Sequence, residues 1–116
     1  MNEKKTPMPE RIQRRRTKGW RMPPNTKYVG RPGRFGNRFI VGQVHVCPEV
    51  PEGHHLTSHD AVSLYRAAIL EAVEGFPTAE EIREELAGWN LADWCREGDP
   101  CHADVLLEIA NPNGRL

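Results

Sequence analysis

Apolar residues recur at helical spacing in the second half of the chain. The run from Thr57 to about Glu74 begins with Thr57-x-x-Asp60, which has the form of a capping box, and Gly75 is suited to end the helix. This pattern predicts a long amphipathic helix. Its buried face is predicted to be formed by Ala61, Val62, Tyr65, Ala68, Ile69, Ala72 and Val73.

A second, shorter helical pattern follows at once. Thr78-Ala79-Glu80-Glu81 is another capping box, with Ile82 and Leu86 spaced to face inward and Gly88 at the end of the pattern. A helix of about two turns is therefore expected here.

The last helix is predicted directly after a short apolar strand. The strand is expected over Leu91 to Cys95, and the helix is expected to begin with Asp99 as N-cap and Pro100 at the first helical position. It should end at Asn111-Pro112, because proline cannot continue a helix.

The first half of the chain has short extended segments separated by turns. Strands are predicted at Ile12 to Arg16, at Tyr28-Val29 and at Phe39 to Val41, and a non-regular loop at Gly30 to Arg38. The stretch from Cys47 to His55 contains two prolines and a glycine, and it is predicted to be a surface excursion with turns.

Alternating strands and helices are typical of α/β proteins. We expect a small Rossmann-like domain, in two or three layers, with a short and partly parallel sheet. A chain of 116 residues has room for one modest core, so residues 11–116 are predicted to form a single domain. Residues 1–10 are polar and contain two prolines, which predicts a flexible tail.

Charge is divided sharply along the chain. Residues 1–39 hold 12 Lys/Arg against 2 Asp/Glu, whereas residues 40–116 hold 4 against 14. We call the stretch from Arg14 to Arg21 the basic arm. The arm either folds back on acidic side chains such as Glu80, Glu81, Glu84 and Glu85, or reaches an anionic partner such as nucleic acid. Trp20 within the arm could stack on a base or pack on the domain. The candidate nucleic-acid-binding residues are Arg14, Arg15, Arg16, Lys18, Trp20 and Arg21.

Cysteine content and hydropathy limit the cellular compartment. Three cysteines, with no secretory leader pattern and no apolar run long enough to span a membrane, favour the cytoplasm over a disulfide-rich secreted scaffold. If the protein is encoded by a phage, this would be the host cytoplasm. The thiols are accordingly expected to be free or metal-bound.

Reactive side chains are concentrated before the last helix. With Asp99 as N-cap, Cys101 and His102 would occupy the second and third helical positions, where backbone N–H groups and the helix dipole favour a thiolate. We therefore expect Cys101 to be an activated nucleophile with His102 as acid and base. Cys95 and Asp104 complete the candidate catalytic set.

Two other interpretations of this segment remain open. Cys95 could pack as a small apolar residue while the stretch from Asp99 to Asp104 only caps the helix. Alternatively, Cys95, Cys101 and His102 could bind zinc, but five residues separate the cysteines and no fourth ligand is evident. We favour a site without metal. The possible fourth zinc ligands are Cys47, His45, His54, His55 and His59.

The loop from Gly30 to Arg38 combines glycine with arginine. Glycines let a backbone approach a ligand, and guanidinium groups bind phosphate through two donors, so Arg31 and Arg34 are expected to hold phosphate while Asn37 orients the ligand. Neither a Walker loop nor a dinucleotide fingerprint is present. The alternative is a turn whose arginines pair with acidic helices and whose Asn37 bonds the backbone. The candidate ligand-binding residues are Gly30, Arg31, Arg34, Gly36 and Asn37.

Three separated motifs resemble an uncharacterised family of small phage and bacterial proteins. They are RIQRRRTKGWRMP at Arg11 to Pro23, YVGRPGRFGNRF at Tyr28 to Phe39, and LADWCREGDPCHADVLLEIAN at Leu91 to Asn111. They are similar to the family patterns KGWRMP, YVGRPSKWGNPF and LxCWCxxxxPCHxDVLLELAN, in the same order. The resemblance implies no activity, but it implies that eight candidate residues belong to shared motifs: Gly30, Arg31, Gly36, Asn37, Cys95, Cys101, His102 and Asp104.

This chain departs from the family pattern at two positions. Arg38 stands where the family usually has proline, and Asp93 stands where it often has cysteine or a small residue. The second departure weakens the case for zinc. The C-terminal motif also resembles the ending of another uncharacterised, Rossmann-like family, which implies a nucleotide-related site.

The sequence therefore predicts a domain directed at a nucleotide, nucleoside or nucleic acid. Its Gly/Arg loop would bind phosphate, and its Cys-His-Asp turn would carry any chemistry; whether a reaction is catalysed stays open, and no cofactor is expected. The alternative is a non-enzymatic, phage-type binding protein whose basic arm docks on nucleic acid or on a host protein. The two hypotheses differ in whether the loop and the turn must meet in space.

Overall fold

A three-stranded parallel sheet forms the base of the fold. The computed structural model describes residues 9–47 and 50–112. The central strand β5 (Asn90–Asp93) lies between β1 (Arg11–Gln13) and β2 (Thr26–Tyr28), with Ile12 and Tyr28 both in register with Ala92. The predicted α/β class with parallel strand pairing is confirmed.

The central strand, β5, has buried side chains. Leu91 and Ala92 are fully buried, and Asp93 ends the strand with its side chain still largely buried. The strand is shorter than the predicted Leu91 to Cys95, because the chain turns away from the sheet after Asp93. Strand β1 likewise ends at Gln13, before most of the basic run.

A helical layer packs on the sheet through the last helix. The helices are α1 (Ser58–Leu70), α2 (Ala79–Leu86) and α3 (His102–Ala110); α3 contacts β5 and β1, and both other helices contact α3. Leu106 of α3 and Ile82 of α2 are completely buried in the shared core. Burial of these apolar side chains is the main force that holds the layer on the sheet.

The predicted N-caps of the first two helices are present, but two helix boundaries differ. Thr57 and Asp60 form the reciprocal capping box of α1, and the Thr78 side chain accepts from the Glu81 N–H at the start of α2. Helix α1 ends at Leu70 rather than near Glu74, because the chain already adopts a left-handed conformation at Ala72.

The last helix begins two residues later than expected. Cys101, rather than Asp99, is its N-cap, with an extended backbone and no side-chain cap bond, and His102 is its first residue. Pro100 therefore lies before the helix and not within its first turn.

A β-hairpin replaces the predicted surface excursion. Strands β3 (Val44–Cys47) and β4 (Val50–His55) pair antiparallel with an irregular register. The strand predicted at Phe39 to Val41 is wrong: Phe39 stacks on Phe76 at 5.7 Å between ring centroids, and the chain then turns. Packing of this aromatic side chain overrides local strand propensity.

Within the part of the chain that the structure describes, no helix is long and apolar enough to cross a membrane.

The Tyr65 hydroxyl fastens the Gly/Arg loop to α1, which generates the first prediction. Tyr65 is completely buried and donates to the Phe35 carbonyl at 2.7 Å. Tyr65→Phe leaves that carbonyl without its donor and should lower the free energy of unfolding by about 1–3 kcal/mol, measured by urea denaturation. Ser63→Ala, at an exposed position of the same helix, should change it by less than about 0.5 kcal/mol. Equal effects of the two substitutions would contradict a structural role for the hydroxyl.

Candidate functional site

One cavity lies where the Gly/Arg loop meets the end of β5 and the start of α3. Its volume is about 600 Å³. Arg31 and Asn37 line it from the loop, and Cys95, Cys101 and His102 line it from the turn before α3. The two motifs that the sequence analysis singled out therefore converge in space.

A carboxylate that the sequence analysis did not select lies at the centre of this site. The Asp93 Oδ2 atom is 3.6 Å from the Cys95 sulfur, 3.5 Å from the Cys101 sulfur and 3.2 Å from Nδ1 of His102. We call these four residues the Asp–Cys–His cluster. Asp93 is the last residue of the parallel strand β5. The carboxyl ends of such strands face the crevice in which α/β folds usually bind ligands.

His102 is fixed by contacts on both sides of its ring. Its Nε2 atom lies 2.8 Å from the Val29 carbonyl, and the ring packs edge-on against Tyr65 at 5.3 Å between centroids. Burial lowers the pKa of His102, and it outweighs the opposing effects of the Val29 carbonyl and the Asp93 carboxylate. The ring is therefore neutral over a wider pH range than an exposed histidine.

The two cysteines of the cluster are joined as a disulfide. Their Cα atoms are 6.0 Å apart, a separation that a disulfide readily spans. The expectation of free or metal-bound thiols thus differs from the structure, since the turn from β5 to α3 brings both sulfurs to one point. Cys101 is buried at the N-cap rather than at the second helical position. A nucleophilic role for it requires the reduced protein.

Asp104 lies away from the cluster. It pairs with Arg11 at 2.8 Å on the outer side of α3, where the same guanidinium also donates to the Asp99 and Arg96 carbonyls. These contacts fasten β1 to the segment that precedes α3. The carboxylate beside Cys101 and His102 is therefore that of Asp93.

The glycines of the Gly/Arg loop allow close packing against the cluster. A Cβ atom on Gly30 would overlap the Tyr28 hydroxyl and would lie 2.7 Å from Oδ1 of Asp93. A Cβ atom on Gly36 would lie 2.9 Å from the Arg31 backbone. A side chain at Gly36 would therefore collide with backbone, whereas one at Gly30 would force the Tyr28 and Asp93 side chains to move.

Asn37 and Arg34 are used mainly for structure. The Asn37 side chain donates to the Ala61 carbonyl and accepts from the Phe39 N–H, so both ends of its amide bond the backbone. Arg34 holds both carboxylate oxygens of Glu81 at 2.8 Å, and this ion pair lowers the pKa of Glu81. These contacts fit the alternative considered for this loop, a turn in which arginine pairs with an acidic helix and Asn37 bonds the backbone.

Arg31 differs from Arg34 in facing the cavity. Its guanidinium donates to the Asn37 carbonyl at 3.1 Å, and the residue remains exposed. Its positive charge is close enough to lower the pKa of His102.

The basic arm docks on aromatic rings rather than on the acidic helix. The Arg14 guanidinium lies between the rings of Tyr28 and Trp94, 4.6 and 4.7 Å from their centroids, and that of Arg16 lies 4.5 Å from the Trp94 centroid. Tyr28 and Trp94 both line the cavity. Trp20 is half-buried, and the remaining cations of the arm, Arg15, Lys18 and Arg21, are exposed.

The histidines considered as a fourth zinc ligand lie in or near the hairpin. The rings of His45 and His54 contact each other, His54 lies 3.8 Å from Asp60, and His55 Nδ1 lies 2.9 Å from the Gly42 carbonyl. His59 is exposed in α1, and the side chain of Cys47 is outside the described residues.

Comparisons with curated proteins and with solved structures found no match. A family model matches residues 12–112, which include the basic arm, the Gly/Arg loop and the Asp–Cys–His cluster. The expected membership of an uncharacterised family is confirmed: the chain belongs to the family described as Domain of unknown function (DUF4326).

Proposed function

We propose that this domain binds a nucleotide, or the end of a nucleic-acid strand, in the cavity between the Gly/Arg loop and the Asp–Cys–His cluster. The observation that carries the proposal is the convergence of these two distant motifs on one cavity of about 600 Å³. This volume lies within the range of small-molecule sites, about 300–1,000 Å³.

Arg31 is the cation in a cavity that two aspartates also line, and it is the group that would bind a phosphate. Arg31 lines one side, and Ser58 and Ala61 from the first turn of α1 line another. A guanidinium and the positive end of a helix dipole both stabilise an anion. Arg34 is not assigned to phosphate binding, because Glu81 already occupies its guanidinium.

Aromatic side chains in the same wall favour a base or a nucleic-acid strand. Tyr28, Phe39 and Trp94 line the cavity, and aromatic rings are the usual stacking partners of bases. Arg14 and Arg16 lie against Trp94 at the edge of the cavity. A strand that leaves the cavity on this side would meet both guanidinium groups.

The Arg31 side chain provides a test of phosphate binding. Arg31→Gln removes a charged donor and should weaken binding of a nucleoside triphosphate about tenfold, measured by titration calorimetry on the intact chain. Arg34→Gln should leave the affinity unchanged, because that guanidinium is paired with Glu81. If neither ATP nor GTP, each at millimolar concentration, binds to or raises the melting temperature of the parent protein, nucleotide binding is excluded.

Salt dependence tests the nucleic-acid form of the proposal. If Arg16 contacts a phosphate, Arg16→Gln should reduce the log–log salt slope for single-stranded DNA or RNA by about 0.7. Arg83→Gln, at an exposed position of α2, removes the same charge and should leave the slope unchanged. Fluorescence anisotropy at several salt concentrations measures both. Absence of salt-sensitive binding by the parent would restrict the ligand to free nucleotides.

A further inference from the structure

Three of the four residues of the Asp–Cys–His cluster have the spacing of a metal-binding site. The ligand atoms of Asp93, Cys95 and Cys101 all lie within 4.8 Å of one another. Around a tetrahedral zinc ion, with bonds of about 2.3 Å to sulfur and about 2.1 Å to oxygen, a sulfur and an oxygen are about 3.6 Å apart. The two sulfurs lie 3.6 and 3.5 Å from Asp93 Oδ2. The carboxylate therefore already has the distance to each sulfur that a shared zinc ion requires.

The histidine ring gives a second, independent indication. A carbonyl oxygen only accepts hydrogen bonds, so the contact at 2.8 Å between His102 Nε2 and the Val29 carbonyl places the proton on Nε2. In the neutral ring, Nδ1 then has a lone pair, and it faces Asp93 Oδ2 at 3.2 Å. Two acceptors at this distance repel each other unless a cation or a proton lies between them. A metal ion held by Asp93 and the two sulfurs would place such a cation beside Nδ1.

The surroundings of the histidine are those of a metal ligand. A ligating histidine usually donates its other ring N–H to a carboxylate, a carbonyl or water, which fixes the ring and leaves the ligating nitrogen without a proton. The Val29 carbonyl takes this role for His102. The cavity is lined by all four residues of the cluster, so it offers an ion a path to them.

We propose that the reduced protein binds one divalent cation of the zinc class at the Asp–Cys–His cluster. Thiolate and imidazole ligands select zinc over magnesium or calcium. This assignment does not depend on the nucleotide proposed above. The ligand atoms are Sγ of Cys95, Sγ of Cys101, Oδ2 of Asp93 and Nδ1 of His102.

The disulfide and the metal site are alternative states of the same two sulfurs. Two thiolates on one zinc ion lie about 3.8 Å apart, so the S–S bond must be reduced before both can bind the ion. Oxidation by a diazenedicarboxamide removes two electrons from the two thiolates and forms the S–S bond. The reagent takes up the two electrons and two protons, and the metal ion is released.

The first experiment measures metal binding by the full chain. The protein is kept reduced with a phosphine and freed of metal with a chelator, and it is then titrated with Co²⁺ followed by Zn²⁺. One Co²⁺ per chain is expected, with intense visible bands of tetrahedral cobalt and a sulfur-to-cobalt charge-transfer band that Zn²⁺ removes. Cys95→Ser and Cys101→Ser should each weaken the charge-transfer band and the affinity, whereas Cys47→Ser should match the parent. A reduced parent that binds less than about a tenth of an equivalent overturns the proposal.

The other two ligands are tested by Asp93→Asn and His102→Gln. Each should weaken Zn²⁺ binding by at least about tenfold. Parent-like affinity in either variant would overturn the four-ligand assignment.

A measurement on the parent protein tests the proposal even if the variants fail to fold. Bound Zn²⁺ should protect Cys95 and Cys101 from iodoacetamide in the reduced protein, as read by peptide mass spectrometry. The diazenedicarboxamide should then release one Zn²⁺ per disulfide formed, and a colorimetric chelator detects the released ion. Equal alkylation of these two cysteines with and without Zn²⁺ would contradict metal binding, whatever the nucleotide affinity of the protein.

Discussion

The Asp93 carboxylate is the constraint on which the rest of the site depends. A buried carboxylate loses its hydration, which costs several kcal/mol unless nearby groups compensate. Asp93 is only 9% exposed at the end of the central strand, between two sulfurs and an imidazole. Its backbone carbonyl also accepts from the Arg14 N–H at 2.7 Å, which fastens the basic arm to the same strand end. Asp93 is therefore the residue at which the strand β5, the basic arm, the Gly/Arg loop and the helix α3 meet.

Local sequence signals predicted the starts of the first two helices. Thr57 and Thr78 cap their helices as the pattern predicted, and Ile82 is buried as its spacing required. Prediction failed where tertiary packing decided the structure. Phe39 is in an irregular segment because it stacks on Phe76, and β4 forms because its partner strand is adjacent, although its proline and glycine favour a turn. Phe76 is far from Phe39 in sequence, so a local window cannot identify it as the partner.

The site was predictable in its location but not in its composition. The helix-start motif correctly placed Cys95, Cys101 and His102 together, because they are close in sequence and lie on one turn. Asp104 was chosen as the carboxylate because it follows His102 closely, but it pairs with Arg11 instead. The signal for Asp93 was a charged residue at the carboxyl end of an otherwise apolar strand, where α/β folds place their ligands.

The cavity edge and the cluster share a short stretch of chain. Trp94, which holds Arg14 and Arg16, lies between Asp93 and Cys95 in sequence. A phosphate that draws either guanidinium away from the ring acts on the backbone that also positions the cluster. If a metal ion or the disulfide changes the affinity of the cavity edge for phosphate by some factor, thermodynamic linkage requires that phosphate change the cluster equilibrium by the same factor. Ligand affinities of the reduced, metal-bound and oxidised forms therefore belong to one thermodynamic cycle, and a difference between them measures how strongly Trp94 couples the two sites.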